Sequence, residues 1–113
     1  MSNIFKKIIN KEIPTDFLYE DDLCVAINDI NPIAPVHVLI IPKKEIPTIN
    51  DINVDDINIV GHLVYVAKTI AKKNMIDNDG FRLVFNCNED GGQTVYHLHL
   101  HLLGGKKLNR AIG

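Results

Sequence analysis

Apolar residues at Ile4, Phe5, Ile8 and Ile9 fall at helical spacing, and Pro14 closes that pattern near Ile13, which predicts a short N-terminal helix. Two short runs, Asp16 to Glu20 and Leu23 to Asn28, are split by Asp21-Asp22 and read as a hairpin. Val36 to Ile41, bounded by Pro35 and Pro42, is β-branched and apolar with His37 set into it, the mark of a more buried strand. From Val54 the period changes, because Ile57, Val60, Val64, Ala67 and Ala71 recur at three- and four-residue steps with Asp56, Lys68 and Lys72 between them. This predicts one long helix. Asp55 and Asp56 near its start and Lys72 and Lys73 near its end suit the helix dipole, and the cluster Asp77-Asn78-Asp79-Gly80 is expected to stop it. Phe81 to Cys87 and Tyr96 to Leu103 read as two further strands, with the glycine-containing loop Glu89 to Gln93 between them. The predicted order is α, β, β, β, α, β, β.

Composition narrows the class. A chain of 113 residues, 46% apolar and 23% charged, without linker, repeat or low-complexity tract, is expected to form a single domain over residues 1–113. A chain this long buries roughly two-thirds of its unfolded surface, enough core to fold without staples. Cys24 and Cys87 form no CxxC pair and lie far apart, so neither a disulfide scaffold nor a cysteine zinc site is expected. The longest aliphatic stretch, Val38 to Ile41, is far short of the roughly 20 residues of a membrane span or the roughly 7 to 15 of a signal-peptide core, and the expectation is a cytoplasmic protein without a membrane partner. Twelve Lys and Arg against fourteen Asp and Glu leave a net charge of −2, so no general positive field draws the chain onto nucleic acid, and any phosphate must be held locally.

The chemistry concentrates near the C-terminus. In Tyr96-His97-Leu98-His99-Leu100-His101-Leu102-Leu103 the alternation puts three histidines on one strand face and the leucines on the other. Neighbouring imidazoles on one face sit roughly 6 to 7 Å apart, close enough to surround one small group. A zinc centre with three His ligands is one reading, since neutral imidazole is a common ligand. The other is a nucleophilic histidine acting on phosphorus, which needs a neutral ring, a partner for its second nitrogen and donors for the phosphoryl oxygens. The loop Asp90-Gly91-Gly92-Gln93-Thr94 favours the second, because glycines let backbone N–H groups approach an anion and Gln93 and Thr94 add donors, whereas a metal site leaves that loop unexplained. Asn86 can donate to the same pocket or bond its own backbone. His37 reads as a buried, hydrogen-bonded residue unless it lies beside the triad, and Asp29 as a turn residue unless it meets ribose hydroxyls. His62 reads as a plain, partly exposed helix residue, and Lys43 and Lys44 as a solvated corner.

His97-Leu98-His99-Leu100-His101-Leu102-Leu103 resembles the signature of the histidine triad (HIT) superfamily, His-x-His-x-His flanked by apolar residues. Ile4-Phe5-Lys6-Lys7-Ile8-Ile9 with Glu12-Ile13-Pro14 is similar to the family's opening, Asn31-Pro32 with Ala34-Pro35-Val36-His37 to its central strand, and Asp90 to His97 to its loop into the triad. Leu103-Gly104-Gly105 is similar to the Hint branch of nucleotide-binding proteins and unlike the diadenosine polyphosphate hydrolases or the galactose-1-phosphate uridylyltransferases.

The resemblance implies an α+β fold with a five-stranded antiparallel sheet, one long helix and a short N-terminal helix, paired into a homodimer through the long helix and a strand so that the sheet continues across it. The implied activity is metal-free hydrolysis of purine nucleoside phosphoramidates without a cofactor. His99 attacks the α-phosphorus and becomes nucleotidylated, and water then releases the nucleoside monophosphate. His97 orients His99 through its backbone carbonyl, and His101 and His37 contact the phosphate. Asn86, Gly92, Gln93 and Thr94 bind phosphate oxygens, with Thr94 near the leaving group. Asp29 accepts the ribose hydroxyls, and Ile30 and Leu39 enclose the base. Two departures stand out. Asn3 and Lys6 occupy the positions of a CxxC that supplies half of a zinc site in many bacterial relatives, and the tail from Lys106 to Gly113 lacks the tryptophan of some animal members. A nucleotide-binding module with negligible turnover, a dinucleoside polyphosphate hydrolase and a three-histidine zinc hydrolase are the competing functions.

Overall fold

Asn3 opens the first helix, α1 (Ile4–Ile9), its side-chain oxygen accepting the Lys6 N–H at 2.7 Å. The computed structural model describes residues 3–110, so residues 111–113 of the tail lie outside the described residues. α1 ends earlier than its apolar pattern predicts, because Lys11 takes a left-handed conformation at φ 63° well before Pro14. Ile13 still packs against the same apolar cluster as Phe5 and Ile8.

Five strands follow: β1 (Tyr19–Glu20), β2 (Cys24–Asn28), β3 (Val36–Pro42), β4 (Phe81–Val84) and β5 (Leu100–Gly104). They form one antiparallel sheet in the order β1-β2-β3-β5-β4, with α2 (Ile57–Lys73) as the long helix. This is the α+β architecture expected from the family resemblance. β5 therefore runs between β3 and β4, and His101 is paired with Leu39 on one side and Val84 on the other.

Both faces of the sheet are covered, which explains why β2 and β3 read as continuous apolar runs rather than alternating ones. Cys24, Ala26, Val38, Ile40, Leu100 and Leu102 lie under α2. Val25, Ile27, Leu39 and Ile41 face the other way, toward Phe5 and Ile8 of α1. Alternation thus sends the leucines of the triad segment into the helix-side core and leaves the histidines on the α1 side.

Both predicted boundaries of the long helix move. Residues Val54–Asp56 form a short 3-10 turn, and α2 begins only at Ile57. The helix stops at Lys73 rather than at Asp77-Gly80, because the Asn74 side chain donates to the Ile70 carbonyl at 2.9 Å and Met75 turns left-handed at φ 58°. Its docked face is Leu63, Val66, Ala67, Ile70 and Ala71, while Ile57 and Val64, members of the apolar period read from the sequence, point outward. The helix carries apolar residues on more than one side, and periodicity alone does not say which side docks.

The two last strands are shorter than predicted for a single reason. The Leu98 N–H donates to the Ile46 carbonyl at 2.6 Å, outside the ladder, so the chain joins the sheet only at Leu100. Phe85, Asn86 and Cys87 then have no strand to pair with, and β4 ends at Val84. No helix among the described residues is long and apolar enough to cross a membrane.

Candidate active site

The triad is a hinge between loop and strand rather than one strand face: His101 lies in β5, while His97, at a bend, and His99 precede it outside the ladder. His97 is fully buried and His99 nearly so. The Phe5 ring meets His99 edge-on with centroids 4.8 Å apart, and His99 and His101 lie 5.0 Å apart. A cleft of about 530 Å³ opens beside them, lined among others by Phe5, Leu39, Asn86, Gly92, His99 and His101.

Backbone groups, whose donor and acceptor roles are fixed, set the tautomer of each ring. The His97 carbonyl can only accept, so His99 Nδ1–H donates to it at 2.7 Å and His99 Nε2 keeps its lone pair. The Pro42 carbonyl likewise takes the Nε2–H of His97 at 2.8 Å, and Asn3 donates to His97 Nδ1 at 3.3 Å. On the far side the Ile33 N–H donates to His37 Nδ1 at 3.2 Å, which leaves the proton of a neutral His37 on Nε2. That proton faces His101 Nδ1 at 3.0 Å, with Asp29 Oδ2 at 3.3 Å as a second acceptor. His101 must then carry its own proton on Nε2, as a donor. One imidazole offers a lone pair and its neighbour offers an N–H.

Burial holds the three triad rings neutral. Desolvation pushes His99 below its ordinary value, against the raising effect of the His97 carbonyl, and it does the same to His97 against the Pro42 carbonyl. His101 is pushed furthest, to about 4, by desolvation and then by the neighbouring His99 and His37. A nucleophilic imidazole has to be unprotonated, and burial supplies that condition at neutral pH.

The remaining predicted residues divide. Leu39 is buried in the cleft floor, Ile30 stands 88% exposed at its rim, and Asp29 and Thr94 also line it. Part of Asp29 is already engaged, since its Oδ1 accepts the Asn31 N–H at 2.9 Å. Asn86 spends one amide hydrogen on the Gly91 carbonyl at 2.7 Å, and its second hydrogen is the donor left for a ligand. Gly92 and Gln93 are placed differently from the expectation. The Gly92 N–H donates to Glu89 O at 2.9 Å, and the Gln93 N–H to Asn88 O at 3.0 Å. The buried Gln93 amide donates to Pro47 O at 2.7 Å and Val95 O at 3.0 Å and accepts the Asn88 N–H at 2.9 Å. Gln93 therefore pins the loop instead of meeting a phosphate oxygen. The glycines are needed for shape: a Cβ on Gly91 would lie 2.5 Å from the Cys87 carbonyl oxygen, and Gly92 sits at φ +79°.

The triad does not gather three ligand nitrogens around one point: among the described residues, His97, His99 and His101 are not a group whose ligand atoms all lie within 4.8 Å of one another. The three-histidine zinc reading fails on that geometry. Among the described residues, two other groups bring three possible ligands within 4.8 Å of one another: Asp29, His37 and His101, and Asp21, Cys24 and His62. Sequence reasoning missed Asn3, Phe5 and the Pro42 carbonyl as supports of the triad. Only Phe5 left a signal, as part of the N-terminal apolar pattern.

Residues 10–108 match the family model for the HIT domain. The purine nucleoside phosphoramidase of Escherichia coli (strain K12) is 51% identical over 105 residues, 93% of this chain and 88% of that protein. A HIT-like protein of Buchnera aphidicola subsp. Baizongia pistaciae is 51% identical over 108 residues, 96% of each chain. Among solved structures, a HIT family hydrolase from Legionella pneumophila Philadelphia 1 superposes with a TM-score of 0.95 at 47% identity, covering 99% of this chain and 100% of that one.

Proposed function

The chain belongs to the HIT domain family, and on that premise we propose that it hydrolyses purine nucleoside 5′-phosphoramidates through a nucleotidyl-histidine intermediate. The observation that carries this reading is the hydrogen bond from His99 Nδ1 to the His97 carbonyl at 2.7 Å, which leaves Nε2 as a neutral nucleophile beside the cleft. Nε2 attacks the α-phosphorus, the P–N bond breaks, and the departing amine takes up a proton from solvent, which the water consumed in the second step returns. The imidazolium formed keeps its Nδ1–H on the His97 carbonyl, which stabilises the positive charge. Water then attacks phosphorus, the P–Nε2 bond breaks, and the nucleoside monophosphate leaves with His99 restored.

His101 Nε2–H, the second Asn86 amide hydrogen and the Thr94 hydroxyl are the donors for the phosphoryl oxygens. Asp29 accepts the ribose hydroxyls, and Ile30 and Leu39 enclose the base. His37 holds the His101 tautomer and contacts the phosphate through it. The reaction needs no metal, since both the nucleophile and the anion donors are supplied by the chain. The protein works as a homodimer joined through the outward side of α2 and the open edge of β4.

Release of AMP from adenosine 5′-phosphoramidate in the presence of a chelator tests this reading. Turnover that survives chelation supports it. AMP binding without turnover would make the chain a nucleotide-binding module instead, and turnover abolished by the chelator would overturn the metal-free route.

A further inference from the structure

A second group of chemically reactive side chains lies on the other side of the sheet from the cleft, where the β1–β2 turn meets α2. In that turn Asp21 Oδ1 accepts the N–H groups of Leu23 and Cys24 at 2.8 and 2.9 Å. Its other oxygen is thereby aimed at the helix, where it meets His62 Nε2 at 2.6 Å and the Tyr19 hydroxyl at 2.7 Å. Cys24 opens β2 and is fully buried beneath α2. Ligand atoms of Asp21, Cys24 and His62 all lie within 4.8 Å of one another.

From this geometry we propose that Asp21, Cys24 and His62 form a binding site for one zinc ion, with water as fourth ligand, tying the β1–β2 turn to α2. Thiolate, imidazole and carboxylate are the donors zinc takes, and the sulfur selects against magnesium and calcium. Tetrahedral zinc with bonds of about 2.0 to 2.3 Å separates its ligands by about 3.3 to 3.8 Å, so ligand atoms that already lie within 4.8 Å of one another need close by no more than about 1.5 Å, and the Asp21–His62 contact opens to admit the ion. Asp21 and His62 side chains are 26% and 27% exposed, which provides the entry path and room for the water. Burial pushes the Cys24 thiol up to about 12, assisted by the Asp21 charge, so the sulfur keeps its proton until a cation arrives. Binding displaces that proton to solvent and therefore strengthens as pH rises. The sheet separates this site from His99, so the proposal stands or falls independently of the hydrolytic reading.

Cobalt(II) titration of the reduced protein tests it, because a cysteine ligand gives a thiolate-to-cobalt charge-transfer band that the sulfur-free Asp29, His37 and His101 group does not produce. One equivalent is expected to generate the band, and zinc to bleach it. The band should vanish in Cys24→Ser and persist in Cys87→Ser and His101→Gln. His62→Gln, a near-isosteric change at a partly exposed position, should bind cobalt at least about tenfold more weakly. Saturating cobalt without a charge-transfer band, a band retained in Cys24→Ser, or unweakened binding in His62→Gln would each overturn the proposal.

Discussion

Individual residues at the site act through which nitrogen holds a proton, and that is decided by three backbone atoms: the carbonyls of His97 and Pro42 and the N–H of Ile33. The spacing of the histidines was legible in the sequence, and so was their separation from the leucines. Their tautomers were not, because the deciding partners are backbone groups brought in by tertiary structure, as with Pro42, 55 residues before His97. Gln93 was legible as polar but not as a fastener, since its acceptors lie on Pro47 and Val95. The pH dependence follows from burial. Because His99 is pushed below its ordinary value of 6.5, the acid limb of kcat/KM should fall with a midpoint below 6.5. Stability should move in the same direction. The unfolded chain takes up a proton on residue 101 near 6.5, while the folded chain holds His101 neutral to about 4. The unfolded state therefore binds more protons as pH falls, and Tm should decline through the window from 6.5 to about 4. A Tm flat across that window would contradict the buried, neutral triad.

At the level of elements, strand β3 and helix α2 were plain from their apolar content, whereas their neighbours were trimmed by single contacts. The bond from Leu98 to Ile46 shortens β5 and, through lost pairing, β4. That same departure from the ladder turns His97 toward Pro42 and leaves His99 to rest on the His97 carbonyl. The loop before the triad depends on Gln93 in the same manner. Gln93→Ala would strip partners from the part-buried Asn88 N–H and the Pro47 and Val95 carbonyls, at about 1 kcal/mol, the low end for groups that water can partly reach. A Tm lower by several degrees and a kcat/KM lower by about tenfold or more are expected, measured by thermal unfolding and steady-state kinetics. A variant with unchanged kcat/KM would show that the loop is not held for catalysis.

Across the whole molecule, the sheet and α1 enclose the cleft while α2 turns a second apolar side outward, with Ile57, Val64 and Tyr65 exposed at 60%, 41% and 62%. Among the described residues, β4 has β5 on one side and no strand on the other. Both features suit the proposed dimer, and they explain why Ile57 and Val64 share the apolar period of the docked residues while standing exposed. Val64→Asp should halve the mass measured by sedimentation at micromolar concentration, and a wild-type chain that sediments as a monomer there would remove the dimer from the account. The central claim rests on one nitrogen, and His99→Ala tests it most directly. The variant should lose at least about a thousandfold in kcat for adenosine 5′-phosphoramidate while binding AMP within a few fold of wild type, whereas turnover near the wild-type rate would contradict a nucleotidyl-histidine mechanism.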